Sequence, residues 1–268
     1  MRKRLDHSLL EHHGVAPRPP ASQVQWRAAA RALRTLIAEP TRTEQVFELF
    51  NALGGSDSER AFQRFLAHPD GARLLASRRE LVDVLADAAA LAALPDGSLG
   101  RAYLDHIERN QLDPAGVVKA AHQVAAARGI PVDPHRQWFF DRLNLMHDLW
   151  HVLTSYGTDE AGEAALLAFT QGQMPQRGLR FLIAAAVWMG PKGNAFAWQR
   201  YLMRAWRRGR RAAVLCAVVW EDLLPRPLAV VQCALAIEPA AVAHPGGILR
   251  GNLMSDATSG LAAVANAQ

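Results

Sequence analysis

Four side chains able to hold a metal ion fall within seventeen positions of this 268-residue chain: His147, Asp148, His151 and Glu163. Histidines four apart on a helix leave the same face with Cβ atoms about 5–6 Å apart, near enough for two imidazoles to share one ion. Asp148 lies about 100° round the helix from His147 and about 60° from His151, so the three share one arc. Glu163 reaches the same point only if the chain turns back. The intervening Thr154-Ser155-Tyr156-Gly157-Thr158-Asp159 supplies that turn, because Gly157 can stop one helix and Thr158 or Asp159 can cap the next. With ten histidines in the chain, chance alone gives about 0.4 His-x-x-x-His pairs, so the pair by itself more often marks a surface or core histidine. Requiring the adjacent Asp and the later Glu lowers the expectation to roughly one in a thousand.

Two imidazoles with one or two carboxylates form a borderline-to-hard donor set for a divalent metal ion: zinc in the isolated protein, with iron, manganese or cobalt as alternatives in catalysis. Two histidines and one carboxylate also leave positions open for a substrate and dioxygen. Asp148 can be a direct ligand or can accept from a ligand's second ring nitrogen, and the spacing leaves both roles open. A phosphohydrolase of the His-Asp type is a rival reading, with His122 and Asp222 conscripted, but it leaves Glu163 unused. A zinc protease is weaker, since Asp148 is one methylene shorter than the general base of His-Glu-x-x-His.

The elements that must carry these residues are helices. Apolar residues recur at three and four in Leu33, Leu36, Ile37, in Val46, Phe47, Leu49, Phe50, Leu53, in Phe62, Phe65, Leu66 and in Leu81, Val84, Leu85. Pro40, Gly54-Gly55, Pro69-Asp70-Gly71 and Pro95-Asp96-Gly97 break these stretches. Further helices are expected over 99–109, 114–127, 134–155, 159–171, 178–189, 193–207, 210–222 and 226–236. Asp133-Pro134 is a start signal for the motif helix, with Asp as cap and Pro at the first helical position. Strand alternation is nowhere sustained and no repeat is visible. The expected fold is all-α: a single multi-helix, orthogonal bundle-like domain behind a flexible N-terminal tail. The tail, residues 1–22, carries His12-His13-Gly14 and Pro17, Pro19 and Pro20, too little apolar surface to fold. The helical domain covers 23–238, and residues 239–268 form a C-terminal extension.

The net charge is +5 and the isoelectric point about 9.7, but all of the 30 basic residues except Lys3, Lys119 and Lys192 are Arg. With the abundance of Ala, this reads as a GC-rich bacterial genome, and no nucleic-acid partner is expected. Cys216 and Cys233 sit in apolar segments and read as core residues of a protein in a reducing cytoplasm, with no disulfide framework. Arg2-Lys3-Arg4 is not followed by the apolar stretch of a secretion signal. The apolar runs from Phe181 to Gly190 and from Ala212 to Trp220 are about half of the roughly 20 residues that span a bilayer. Membrane contact is therefore expected to be peripheral, on the inner face of the cytoplasmic membrane. Arg200, Arg204, Arg207, Arg208, Arg210 and Arg211, interleaved with Trp198, Tyr201 and Trp206, form either a solvated helix face or a contact for an anionic membrane surface, to which each basic residue adds on the order of 1 kcal/mol. Phe181, Leu182, Ile183, Val187, Trp188 and Met189 are either plain core or the wall of a groove for an apolar tail.

Four blocks resemble the ubiquinone (coenzyme Q) biosynthesis protein 4 family, the Coq-four proteins. They are Leu94-Pro95-Asp96-Gly97-Ser98-Leu99-Gly100-Arg101-Ala102-Tyr103; the run from His147 to Thr154 with its His-Asp-x-x-His; the segment Gly157 to Glu163; and Trp206 to Arg210 with Val219 to Leu224 and Arg226-Pro227-Leu228. The likeness covers roughly residues 60–238. Asn144-Leu145-Met146 stand where that family usually has charged residues, Ser155 where Gly is usual, and Gln232 where Arg is common. The resemblance implies an all-helical, metal- and prenyl-lipid-binding protein. It implies oxidative decarboxylation, carboxylate to hydroxyl, at ring carbon 1 of a polyprenylated benzoate-type ring substrate. His147, Asp148, His151 and Glu163 would then be both metal ligands and catalytic residues. Other ubiquinone biosynthesis proteins are the implied partners, a homodimer is compatible, and the alternative is a non-catalytic lipid-binding scaffold that organises the biosynthetic complex.

Overall fold

The structure is a computed structural model that describes residues 14–17, 23–39, 42, 44–54, 56–127, 129, 133–191 and 195–249. Among these residues the chain is built from α-helices, one 3₁₀ turn and a single antiparallel bridge between Ser98 and Pro227. The helices are α1 Trp26–Ala38, α2 Glu44–Gly54, α3 Asp57–Leu66, α4 Pro69–Ser77, α5 Leu81–Leu85, α6 Ala88–Ala92, α7 Leu99–Asn110, α8 Pro114–Ala127, α9 Pro134–Thr154, α10 Glu160–Gln173, α11 Arg177–Met189, α12 Ala195–Arg211, α13 Trp220–Leu223, α14 Leu228–Ala234 and α15 Ala240–Ala243, with the 3₁₀ turn at Leu215–Ala217. The fold is all-α, as expected. None of the described helices is long and apolar enough to cross a membrane.

The chain divides into two compact units, one of Met1–Asp148 with Val214–Pro227 and one of Leu149–Ala213 with Leu228–Gln268. In the first, Phe62 and Phe65 of α3 pack on Phe139 of α9 with ring centroids 5.5 and 4.9 Å apart. Two buried ion pairs hold α9 in register. Arg136 donates to Glu59 at 2.8 and 3.2 Å, and Arg142 forks onto Glu221 at 2.6 and 3.1 Å. Such pairs regain the hydration they lose only when both carboxylate oxygens are met, which the forks achieve. Asp133 starts α9 by accepting from the N–H groups of His135 and Arg136, both at 3.1 Å. At α7, Leu99 and Gly100 donate to the carbonyls of Arg226 and Leu224 at 2.9 and 2.8 Å. The first and last sequence blocks therefore meet through main chain, and a Cβ at Gly100 would run into the Leu94 side chain.

In the second unit α10 and α12 pack main chain against main chain at two glycines. A Cβ on Gly209 would collide with the Phe169 carbonyl, and one on Gly172 with that of Trp206. Gln173 then donates across the crossing to the Gly209 carbonyl.

Several sequence expectations need correction. The Phe62–Leu66 stretch does end before Pro69, but Pro69 also opens α4: His68 caps it, accepting from the Asp70 N–H, and proline at the first position needs no donor. Asp87 caps the short α6, which periodicity does not reveal. No helix covers 210–222. Instead α12 runs on to Arg211, and Leu215, Cys216 and Ala217 form a turn that is buried throughout, where no 3.6-residue pattern can survive. Cys216 is buried, but Cys233 is exposed, because α14 turns Val231 inward and the opposite side, with Val230, outward. Of the N-terminal tail, 1–13 and 18–22 lie outside the described residues. Within the described part Val15 is buried, and the Ala16 carbonyl accepts from Arg136 at 3.0 Å. Of the C-terminal extension, 250–268 lie outside the described residues, while 239–249 include α15.

Candidate metal centre

His147 and His151 stand one turn apart near the end of α9, which stops at Thr154. The stop is made by Ser155, which takes a left-handed φ of 62°, two residues before the expected Gly157. Side chains disfavour that region, so a serine there is an uncommon way to end a helix. Asp159, one of the two expected caps, opens α10 by accepting from the Gly162 N–H at 3.1 Å. A Cβ on Gly162 would collide with the Gly157 main chain, so glycine permits the tight reversal that returns Glu163 to α9.

The reversal brings one ligand atom each of His147, His151 and Glu163 within 4.8 Å of one another. His151 Nε2 and Glu163 Oε1 are 3.2 Å apart. Zinc bonds of about 2.0–2.2 Å place tetrahedral neighbours about 3.3–3.5 Å apart, so this pair is spaced as two ligands of one ion would be. His151 Nδ1 lies 3.1 Å from the Tyr156 carbonyl. A carbonyl only accepts, so Nδ1 donates, and Nε2 is the nitrogen that would meet a cation. His151 is buried, while His147 and Glu163 are half-buried, so the cluster can be reached from outside. Donor types, spacing and tautomer all fit a divalent ion.

Asp148 is not in this group of three. Its charge is felt instead by Tyr103, whose phenol is pushed above its ordinary range first by burial and then by the Asp148 carboxylate. The first sequence block contains Tyr103, but nothing in its spacing connects it to Asp148. His122 and Asp222 do not join the cluster either: His122 faces Asp141 at 2.9 Å, and Asp222 accepts from Arg79 at 2.8 Å.

The end of α9 is held from behind. Its last carbonyls have no partner inside the helix; Arg208 donates to that of Thr154 at 2.7 Å, and Gln232 to that of Leu153 at 2.9 Å. Gln232 thus supplies an amide donor to the end of α9. Arg208 is buried, as are Trp198 and Tyr201, so these three drop out of the surface read from the arginine-rich run. The residues α12 exposes include Phe196, Arg200, Met203, Arg207 and Arg210, spaced by four and three along one face, and also Ala195, Gln199 and Arg211.

The fold and cluster define a class: an all-helical protein with a His-His-Glu centre made by the end of one helix and the first turn of the next. Residues 20–241 match the family described as Coenzyme Q (ubiquinone) biosynthesis protein Coq4, and the chain belongs to that family. It is 29% identical over 176 residues to the Neurospora crassa ubiquinone biosynthesis protein coq-4, mitochondrial, covering 65% of this chain and 48% of that protein. It is 26% identical over 215 residues to the Rattus norvegicus ubiquinone biosynthesis protein COQ4 homolog, mitochondrial, covering 79% of this chain and 77% of that one. The chain spans about half the length of the Neurospora relative. A crystal structure from Nostoc punctiforme PCC 73102, assigned provisionally as a ubiquinone biosynthesis protein, superposes with a TM-score of 0.58 at 20% identity, covering 81% of this chain and all of that one. At that identity the likeness concerns the fold.

Proposed function

We propose that this protein acts in ubiquinone biosynthesis as a metal-dependent enzyme that replaces a carboxylate by a hydroxyl at carbon 1 of a polyprenylated ring. The observation that carries this reading is the convergence of His147, His151 and Glu163 within 4.8 Å. These three would hold the ion, zinc in the isolated protein and iron, manganese or cobalt as the alternatives in catalysis. A bound ion would supply positive charge for the ring's carboxylate or phenolic oxygen and open positions for dioxygen.

The chain's own groups prepare the site. His151 is fixed in orientation by the Tyr156 carbonyl, and half-buried Glu163 lies 3.2 Å from its Nε2. Burial first, and then the Asp148 carboxylate, push the Tyr103 phenol above its ordinary range, so it stays protonated. A prenylated substrate resides in a membrane, and the exposed Phe196, Arg200, Met203, Arg207 and Arg210 of α12, with Trp188 of α11, suit peripheral contact with anionic lipid. Association with other ubiquinone biosynthesis proteins belongs to the same reading.

Turnover of a carboxylated prenyl-phenol by the purified, metal-loaded protein in air tests it: dioxygen takes the two electrons and water supplies the hydroxyl, so carbon dioxide, the hydroxylated ring and hydrogen peroxide are the expected products, and none forms with His147→Ala. In cells lacking the gene, full restoration of ubiquinone by folded His147→Ala protein would make the scaffold the better account.

A further inference from the structure

The buried histidine of the cluster takes its orientation from a carbonyl, and a loop carbonyl is only as fixed as its own residue. Tyr156 follows the left-handed Ser155 in the α9–α10 turn and is 2% exposed. Its hydroxyl lies 2.8 Å from Nε2 of His244, its ring lies under the Arg208 guanidinium at 5.3 Å, and Tyr201 packs edge-on at 6.4 Å. His244 closes α15, is 1% exposed, and lies against the Tyr201 ring at 4.5 Å. Arg208 joins both ends, donating to the Glu238 carbonyl just before α15 and to the Thr154 carbonyl, each at 2.7 Å. Burial raises the Tyr156 phenol, so it keeps its proton, and His244 is pushed down to about 4 by burial, then Arg208 and Arg204, so it stays neutral. A protonated phenol and a neutral ring make one hydrogen bond across that 2.8 Å contact.

We propose that His244 and Tyr156 are positioning residues for His151: the hydroxyl–imidazole bond holds the Tyr156 carbonyl where it accepts from His151 Nδ1 and so keeps Nε2 turned toward His147 and Glu163. His244 lies beyond residues 20–241 that match the family, so this support comes from the chain's own C-terminal segment. Its purpose rests on the metal reading above. Outer partners of this kind alter metal affinity by roughly 10–100-fold.

The test uses the full chain with His244→Phe and Tyr156→Phe, which delete the bond and keep a ring, and His244→Gln, which returns an acceptor. One readout needs no metal: the His151 ring N–H, donated to a buried carbonyl, gives a slowly exchanging proton signal in nitrogen-edited spectra. That signal should vanish in the two Phe variants and return in His244→Gln. The second readout is Co²⁺ alone, whose visible spectrum should shift and whose binding should weaken about 10-fold in the Phe variants. Unchanged signal and unchanged Co²⁺ binding in both Phe variants overturn the inference. Loss of the ring signal in a protein whose wild type takes up no Co²⁺ supports the positioning and removes the metal from its purpose.

Discussion

Arg208 donates an Nη1 proton to the Thr154 carbonyl at 2.7 Å and so closes the helix that carries both histidines of the cluster. The same guanidinium caps the Glu238 carbonyl and covers the Tyr156 ring. An arginine from a run that reads as surface is thus an internal cap, while Arg207 and Arg210 beside it face outward.

Arg208→Ala should therefore destabilise the fold by roughly 3–5 kcal/mol, since two charge-assisted hydrogen bonds of about 1.5–3 kcal/mol each are lost and two carbonyls are stranded. Arg207→Ala should change stability by no more than about 0.5 kcal/mol. Urea denaturation of the two variants decides the matter, and equal midpoints would refute the capping role.

Glu221→Ala should be similarly severe. It leaves Arg142, 2% exposed, as an unpaired buried charge, at a cost of about 3–5 kcal/mol. Replacing both partners, Arg142→Met with Glu221→Leu, should recover most of that loss, because the charge leaves with its partner. If the double variant is no better than the single one, the pair contributes more than mutual neutralisation.

At the cluster, His147→Ala, His151→Ala and Glu163→Gln should each strip most bound metal from the purified protein and leave helical circular dichroism near wild type. Asp148→Asn should retain metal, because Asp148 lies outside the group of three. Elemental analysis after dialysis reads all four. Metal retained in both histidine variants would exclude the site, and metal lost in Asp148→Asn would restore Asp148 to the ligand set.

How much of this was legible follows from what each residue depends on. The run of helices, the Asp133 start of α9 and the Asp159 cap of α10 rest on local chemistry, and local sequence displays it. The cluster residues were visible for the same reason: one turn of helix and one reversal bring them together. Ser155 was missed because a non-glycine residue carries the left-handed turn. Arg142 and Glu221 stand 79 residues apart and leave no local trace of their pairing. Arg208 and the 215–217 turn were misread because charge suggests exposure and an apolar run suggests a helix, and tertiary packing overrides both.

The exposed face of α12 carries a prediction that excludes Arg208. Vesicles of anionic lipid should bind the protein, less so as salt rises, since attraction is screened over about 10 Å at 0.1 M. Joint neutralisation of Arg200, Arg207 and Arg210 should weaken that binding, and Phe196→Ser should weaken what high salt leaves. Equal binding to neutral and anionic vesicles would leave an apolar contact as the better account.

His244 also makes stability depend on pH. Its folded pKa is pushed down to about 4 from an ordinary 6.5, by burial first and then by Arg208 and Arg204, with Tyr156 and Tyr201 packed against the ring. Between those values the unfolded chain takes up a proton that the folded chain refuses, so stability falls as pH falls. The contribution is fully present above the unfolded value of 6.5 and is gone once pH has dropped through about 4. Its size is on the order of 2–3 kcal/mol. Urea midpoints of wild type and His244→Gln, measured from about pH 7 down to about pH 4, should converge as acid is added, because the variant has no proton to gain at this position. Parallel curves would mean that the His244 ring charges in place without penalty, and that burial against two arginines does not hold it neutral.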